Sequence, residues 1–167
     1  VDDGGDVIEH GAGAKTLQER KGRIKALYGH DFGKLIGHPI EIKEDDNGLY
    51  TVTKLAIKSF WGNEVYSLAL NGSLNEMSIG YAAMQGATTR DPDTGVRRIG
   101  EYKLYEYSFV PLAMNAQARV TSVKALNIGN PGEVDEYIEA LARKWESEGK
   151  LTDEIKAALA AISAVVT

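Results

Sequence analysis

The chain has 167 residues, of which 43% are hydrophobic and 26% charged, and a formal net charge of -5. This length and composition predict one soluble domain with a hydrophobic core, and the acidic balance argues against nucleic acid as the main partner. The absence of cysteine excludes disulfides, thiolate nucleophiles and cysteine-based metal sites.

The first ten residues, "VDDGGDVIEH", are acidic and glycine-rich, unlike the basic and then apolar start of a secretory signal. The sequence contains no apolar run near the roughly 18 residues that a membrane-spanning helix needs. We therefore expect no membrane partner.

The N-terminal part predicts a loop, a helix and a strand in that order. Gly and Asp crowd residues 2–13, and "AKTLQERKG" then predicts a short helix that ends near Gly22. "RIKALYGHD", residues 23–31, alternates in the manner of a strand. This strand places His30 at its end.

Residues 35–57 form the clearest hairpin of the sequence, with two β-rich runs around the turn residues 45–48. "FWGNEVYSLALNGSL" follows as an amphipathic helix with Gly72 as its stop signal. Ser78, in "NEMSIGY", comes a few residues after this helix.

A second hairpin is predicted around "RDPDTG", because Pro92 and Gly95 are turn residues between "SIGYAAMQGATT" and "RRIGEYKLYEYSFV". Beyond it the character of the sequence changes. Residues 121–132 are a linker candidate, and residues 133–167 are an alanine-rich tail with two helical segments.

The two tail helices carry apolar stripes at helical spacing. Their members are Val134, Ile138, Leu141, Ile155, Leu159 and Ile162. The stripes predict contacts between subunits or with a protein shell, and docking on the chain's own β-rich body is an equally good interpretation.

Ser78 is either a hydrogen-bonding residue at a strand start or a nucleophile. Only half of a glycine-serine-glycine elbow is present, since Gly80 follows by two residues but Glu76 precedes by two. A serine hydroxyl needs a base before it can attack, and a histidine titrates in the right range for that task. The partners therefore have to come from elsewhere in the chain.

The sequence offers three histidines as the base. His10 lies in a glycine-rich loop and His38 stands between Gly37 and Pro39, positions that favour ordinary surface histidines. His30, at a strand end, is the best candidate of the three.

Glu106 is the candidate carboxylate. Alternation in "YKLYEYSFV" puts it on the same strand face as Leu104 and Val110, where an unpaired charge is costly. The pattern alone favours a plainer interpretation, a solvent-facing residue paired with Lys103 or an arginine.

Other charged and glycine-rich segments favour structural roles. Arg97 and Arg98 beside the second turn could grip an oxyanion or an acidic substrate, but such pairs are usually a solvated strand edge. "EDDNG" lacks the spaced oxygen ligands of a calcium loop, and "GDVIEHGAGAK" lacks the ending of a phosphate loop. We predict no metal and no cofactor.

Five segments occur together in the order and rough spacing of one known family. They are "GGDVIEHGAG", "LYGHD", "NGLYTVTKLA", "LNGSLNEMSIGY" and "YKLYEYSFVPLAMNAQARV", between residues 2 and 120. In these segments the chain resembles the tailed-phage prohead maturation proteases, which are similar in fold to the herpesvirus capsid proteases.

The resemblance implies an α+β fold, a mostly antiparallel β-barrel with flanking helices, for a protease domain over residues 1–120. It implies a serine endopeptidase in which His30 is the base, Ser78 the nucleophile and Glu106 the third member. Asp31, next to His30, is the rival for that third role, but neighbours in an extended strand point to opposite sides.

The partners that the resemblance implies are the phage major capsid protein precursor and its scaffolding segment. The enzyme would cut that segment, and itself, inside the prohead in the host cytoplasm, and it could self-associate. Two alternatives remain: a non-catalytic capsid-assembly or scaffold module of the same fold, or an unrelated β-rich binding protein with Ser78, His30 and Glu106 far apart.

Overall fold

A computed structural model describes residues 1–20, 22–123 and 131–166, with the backbone alone for residues 131–137 and 161–166. The helices are α1 (Ala14–Arg20), α2 (Phe60–Leu70), α3 (Pro131–Ser147) and α4 (Asp153–Val166). The strands are β1 (Asp6–Ile8), β2 (Lys25–Tyr28), β3 (Asp31–Asp45), β4 (Gly48–Leu55), β5 (Glu76–Ala83), β6 (Thr88–Arg90), β7 (Arg97–Ile99) and β8 (Tyr102–Val110).

The strands form two mixed sheets, so the α+β class is confirmed. The larger sheet has five strands in the order β4-β3-β2-β8-β5, and the smaller has three in the order β1-β7-β6. The β2-β8 and β1-β7 pairs are parallel, and the other pairs are antiparallel.

The predicted closed barrel is wrong for the part of the chain that the structure describes. The five-stranded sheet ends on β4 and β5, which do not pair with each other. On the outer side of β5 the Met77 N–H donates to the Ala118 carbonyl at 2.8 Å, and Glu76 forms a bridge with Arg119. Residues 118 and 119 thus cover the start of the outer edge of β5, which would have to pair with β4 to close a barrel.

Both predicted hairpins are present. β3 and β4 pair from Gly37 to Asp45 around a turn whose Gly48 has a φ of 123°, as the turn residues indicated. β5 and β8 pair over their lengths, but the segment between them bends away, through a 3₁₀ turn at Gln85–Ala87, to form β6 and β7 of the smaller sheet.

Two helices cover the larger sheet. On α1, Thr16 is buried and its Oγ1 accepts a hydrogen bond from the Leu104 N–H of β8 at 2.9 Å. On α2, Val65 and Ala69 enter the core, and the Ser59 hydroxyl caps the helix by accepting from the Gly62 N–H. This packing fixes the strands β2 and β8 that carry the site described below.

Helix α3 packs against α2 of the same chain, and α4 packs against α3. Lys144 of α3 forms an ion pair with Glu64 of α2, and Lys58 lies 3.6 Å from Glu139. Ala140 and Leu159 are buried. This arrangement is the intramolecular docking that the apolar stripes allowed.

Part of the prediction for the C-terminal end concerns residues and side chains outside those that the structure describes. The side chains of Val134 and Ile162, and residues 124–130 of the predicted linker, lie outside the described residues. Helix α3 begins at Pro131, two residues before the predicted tail. No helix within the described ranges is long and apolar enough to cross a membrane.

Candidate active site

His30 lies in a tight turn rather than at the end of a strand. β2 ends at Tyr28 and β3 begins at Asp31, so Gly29 and His30 form the loop of a two-residue hairpin. Both have positive φ, 64° for Gly29 and 60° for His30, as the tight hairpin turns of this length require. The left-handed backbone is uncommon for a residue other than glycine and aims the imidazole away from the strand direction.

The imidazole joins the two other candidate residues. His30 Nδ1 lies 2.7 Å from Glu106 Oε1, and His30 Nε2 lies 3.0 Å from Ser78 Oγ. An ionised carboxylate only accepts hydrogen bonds, so Nδ1 carries the proton and Nε2 is left to accept from the serine hydroxyl. The three residues form one hydrogen-bonded chain.

Glu106 is buried, with 2% of its surface exposed. It projects from β8, the strand between β2 and β5. The carboxylate is therefore not on the solvated strand face that the sequence pattern favoured. Its partners are His30 and Ser108 rather than Lys103 or an arginine. A buried carboxylate with two hydrogen-bond donors is compensated and held in one orientation.

Ser108 completes the support of this group. It is fully buried, its hydroxyl donates to Glu106 Oε2 at 2.6 Å, and its Oγ accepts from the His30 N–H at 3.0 Å. One hydroxyl therefore fixes both the carboxylate and the strained backbone of the histidine turn. One signal for Ser108 was present in the strand pattern, which places a serine two residues after Glu106 on the same strand face.

Gly80 makes room for the carboxylate. It pairs with Glu106 across the β5-β8 ladder, and a Cβ on Gly80 would lie 1.9 Å from Glu106 Oε1. Any larger residue would displace the carboxylate from His30. Gly80, two residues after Ser78, thus has a steric role, which differs from the role of a glycine in a glycine-serine-glycine elbow.

Ser78 and Ser108 are direct partners in the β5-β8 register. Ser78 lies on the edge strand β5, partly exposed, whereas Ser108 lies on the interior strand β8. The same residue type is thus placed once at the surface of the site and once beneath it.

The competing candidates lie elsewhere. Asp31 is exposed; its Oδ1 accepts from the Gly33 N–H at 2.8 Å and its Oδ2 lies 3.3 Å from Lys34 Nζ. The hydrogen bond from Gly33 lowers the pKa of Asp31. His38 is exposed on β3, paired in register with Lys54, and His10 is exposed 3.7 Å from Asp46.

The two arginines have structural partners, but their strand β7 is the central strand of the smaller sheet and not the solvated edge that the sequence pattern favoured. Arg97 binds Asp6 and Arg98 binds Glu9, which joins β7 to the N-terminal segment. Among the residues that the structure describes, no group of three or more His, Asp or Glu side chains is arranged to hold a metal ion.

A shallow cavity of about 440 Å³ opens beside the three residues. Its walls include the following side chains: His30, Phe32, Ile79, Tyr81, Tyr105 and Glu106. Phe32 is 79% exposed and Tyr105 41% exposed, so the walls are apolar surfaces open to solvent. A ligand that lies in this cavity meets the imidazole of His30.

A carboxylate, an imidazole and a serine hydroxyl in hydrogen-bonded sequence is the arrangement by which serine hydrolases activate their nucleophile. Finding the three together rules out the interpretation of a β-rich binding protein in which they lie far apart.

Comparison with known proteins identifies the family. A family model described as Caudovirus prohead serine protease matches residues 2–130, and the chain therefore belongs to that family. The resemblance found in the sequence is confirmed, and with it a role as a phage serine protease of prohead and capsid maturation. No curated protein and no solved structure matches the chain.

Proposed function

We propose that the chain is a serine endopeptidase of the Ser-His-Glu type, with Ser78 as nucleophile, His30 as general base and Glu106 as the residue that orients the imidazole. The observation that carries this proposal is the pair of distances at His30, 2.7 Å to Glu106 Oε1 and 3.0 Å to Ser78 Oγ. Both are hydrogen-bond lengths, within the reach that proton transfer requires.

In the proposed mechanism, His30 Nε2 takes the proton of Ser78 Oγ as the oxygen attacks a peptide carbonyl. The resulting imidazolium is stabilised by Glu106, because this carboxylate is buried and water screens its charge less than that of an exposed group. The imidazolium then gives its proton to the departing amine, which leaves an acyl-enzyme on Ser78. A water molecule, deprotonated by His30, hydrolyses the ester and restores the serine.

The substrate we propose is the precursor of the phage major capsid protein, cut in its scaffolding segment, together with the protease chain itself. Membership of the prohead protease family supports this substrate and a site of action inside the prohead. The position of Ser78 on an edge strand, beside an open cavity, supports access by an extended polypeptide.

The test is digestion of the purified capsid precursor by the parent protein and by Ser78→Ala, with fragments mapped by mass spectrometry. We expect Ser78→Ala to abolish cleavage, apart from the residual ~10³–10⁴-fold acceleration over water that binding and oxyanion contacts supply in serine proteases without an intact triad. Ser73→Ala, at an exposed serine near the start of the same strand, is the matched control and keeps parental activity.

The same digestion compares His30→Ala with His38→Ala. We expect the first to be inactive and the second active, because His38 is exposed on β3 and forms no part of the hydrogen-bonded chain. A parent protein that never cuts the precursor would favour the non-catalytic scaffold alternative. Parental activity in a folded Ser78→Ala variant would remove Ser78 from its proposed role.

A further inference from the structure

A second cavity, of about 320 Å³, adjoins the one beside His30. The two share three wall residues, Phe32, Tyr105 and Glu106, so they are neighbouring parts of one groove. The size is that of a small ligand site. What sets this second cavity apart is its charge.

Three cations line the second cavity: Arg20 at the end of α1, Arg23 in the segment that leads into β2, and Lys25 at the first position of β2. This is a local concentration of positive charge on a chain whose net charge is -5. The remaining walls are the apolar side chains of Leu27, Leu35 and Phe32, the ring of Tyr105 and the carboxylate of Glu106.

The cations have few partners within the protein. In the described part of the chain none of the three forms an ion pair with a carboxylate, and Arg20 Nε is buried without a hydrogen-bond partner. Lys25 Nζ donates only to the Gly22 carbonyl, at 3.0 Å. Elsewhere in the described chain Arg97, Arg98 and Arg119 each face a carboxylate, and Arg90 donates to the Gly95 carbonyl. The second cavity differs in grouping three cations, none of which is paired with a carboxylate among the residues described.

Arg20 is also held in place. Its guanidinium carbon lies 5.2 Å from the centre of the Tyr105 ring, a cation-π contact on the wall that the two cavities share. A buried donor without a partner costs free energy, and that cost is removed when an acceptor binds. The Glu106 carboxylate does not supply it, because its oxygens accept from His30 and Ser108.

We propose that this cavity is a specificity subsite that takes an acidic side chain, Asp or Glu, of the substrate polypeptide close to the cleaved bond. The inference rests on the proposed protease function, since it places this subsite beside His30 in the groove that the substrate occupies. Guanidinium groups match carboxylates in geometry and charge, and Leu27 and Leu35 contact the methylene part of the side chain.

The first experiment measures binding, so that it does not depend on catalysis. A library of capped octapeptides with random sequence is passed over immobilised Ser78→Ala protein, and the retained peptides are sequenced by mass spectrometry. We expect Asp and Glu to be enriched at a defined position, about tenfold or more over Asn and Gln, the range of a hydrogen bond to a charged group.

Two charge variants in the same Ser78→Ala background locate the effect. Arg20→Gln/Arg23→Gln should lose the enrichment, and Arg23→Gln/Lys25→Gln, which leaves the partly buried Arg20 in place, should weaken it. Lys43→Gln/Lys54→Gln removes the same charge from the β3-β4 hairpin and should leave it unchanged. The subsite proposal is overturned if Ser78→Ala protein without further changes shows no enrichment of Asp and Glu. It is also overturned if the lysine control loses as much enrichment as the arginine variant.

The second experiment digests the same library with the active protein and maps the cuts. Cuts next to acidic residues, lost in Arg20→Gln/Arg23→Gln and retained in the control, support the subsite. Cuts with no preference for acids refute the subsite while leaving the protease function intact. Retained acid binding without any cut refutes the protease function and leaves an acidic-peptide site in place.

Discussion

The two sheets of this protein each hold a carboxylate bound by one basic side chain and one hydroxyl. In the smaller sheet Asp6 of β1 accepts from Arg97 of β7, with 2.9 Å between Arg97 Nε and Asp6 Oδ1, and from the Tyr81 hydroxyl at 3.1 Å. In the larger sheet Glu106 is bound by the imidazole of His30 and the hydroxyl of Ser108. The two arrangements are alike in connectivity.

The two arrangements differ in the basic side chain that binds the carboxylate, Arg97 in one and His30 in the other. Arg97 is permanently charged and directs both its Nε and a terminal nitrogen to Asp6, which lowers the pKa of that carboxyl. His30 gives one ring nitrogen to Glu106 and keeps the other for Ser78. A basic side chain that can gain and lose a proton, with a second contact to a hydroxyl, is what distinguishes a reactive site from a structural ion pair.

The largest effect on this comparison should come from Glu106→Gln, which keeps the shape of the side chain and removes its charge. The imidazolium loses its stabilising partner, and we expect turnover of the capsid precursor to fall by orders of magnitude; the analogous change in the chymotrypsin-type triad costs ~10⁴. Initial rates under identical conditions give the measurement.

Asp31→Asn is the matched control for Glu106→Gln, since it removes a neighbouring exposed charge bound to Lys34 and not to the imidazole. We expect it to retain most of the activity. A larger loss in Asp31→Asn than in Glu106→Gln would transfer the orienting role to Asp31.

The next effect should come from Ser108→Ala, which leaves Glu106 with one donor fewer and the His30 N–H without its acceptor. We expect kcat to fall roughly 10–100-fold with KM little changed, because a misplaced catalytic group affects the chemical step more than substrate binding. Steady-state kinetics on a peptide substrate separate the two constants.

Ser78 and Ser108 face each other in register, so Ser78→Ala is the natural comparison for Ser108→Ala. We expect Ser108→Ala to lower the unfolding free energy by about 1–3 kcal/mol, the cost of an unsatisfied buried group, and Ser78→Ala to lower it less. A KM that rises while kcat stays constant would argue that Ser108 supports the substrate groove instead of the histidine turn.

The smallest effect should come from Asp6→Asn in the structural ion pair, which we expect to leave activity near parental. The unfolding free energy at neutral pH should fall by about 1 kcal/mol, a modest value because Arg97 is 37% exposed and water screens the pair. Denaturant titration provides the measurement.

The Asp6–Arg97 ion pair should also make the stability of the protein depend on pH in the acid range. The pKa of Asp6 lies below its ordinary value of 3.8 in the folded chain, mainly through the Arg97 hydrogen bond, so its contribution is complete above that value. The contribution is lost as the pH falls through the lowered folded pKa. The parent should therefore lose more stability than Asp6→Asn between neutral pH and pH ~3; parallel curves for the two proteins would contradict this assignment.

Local patterns predicted most of the elements, because they depend on neighbours in the chain. The hairpin of residues 35–57 followed from its turn residues, and α2 followed from its apolar spacing and its Gly72 stop. β1 was missed within the predicted loop of residues 2–13, since three residues are too few for an alternating pattern to appear. Its strand character comes from pairing with the distant β7.

Taken by itself, the sequence determined the family, the α+β class and a short set of candidate residues, since these follow from residue types and their order. Only the tertiary structure decided that Glu106 is buried, because the His30 turn and β5 pack at this position of β8, whereas Tyr105 on the same strand is 41% exposed. The tertiary structure also decided the roles of Ser108 and Gly80. Ser108 contacts His30, which is 78 residues away in the sequence, and Gly80 faces Glu106 across the β5-β8 ladder. Such contacts arise from which strands lie side by side, and no periodicity within one strand encodes that choice.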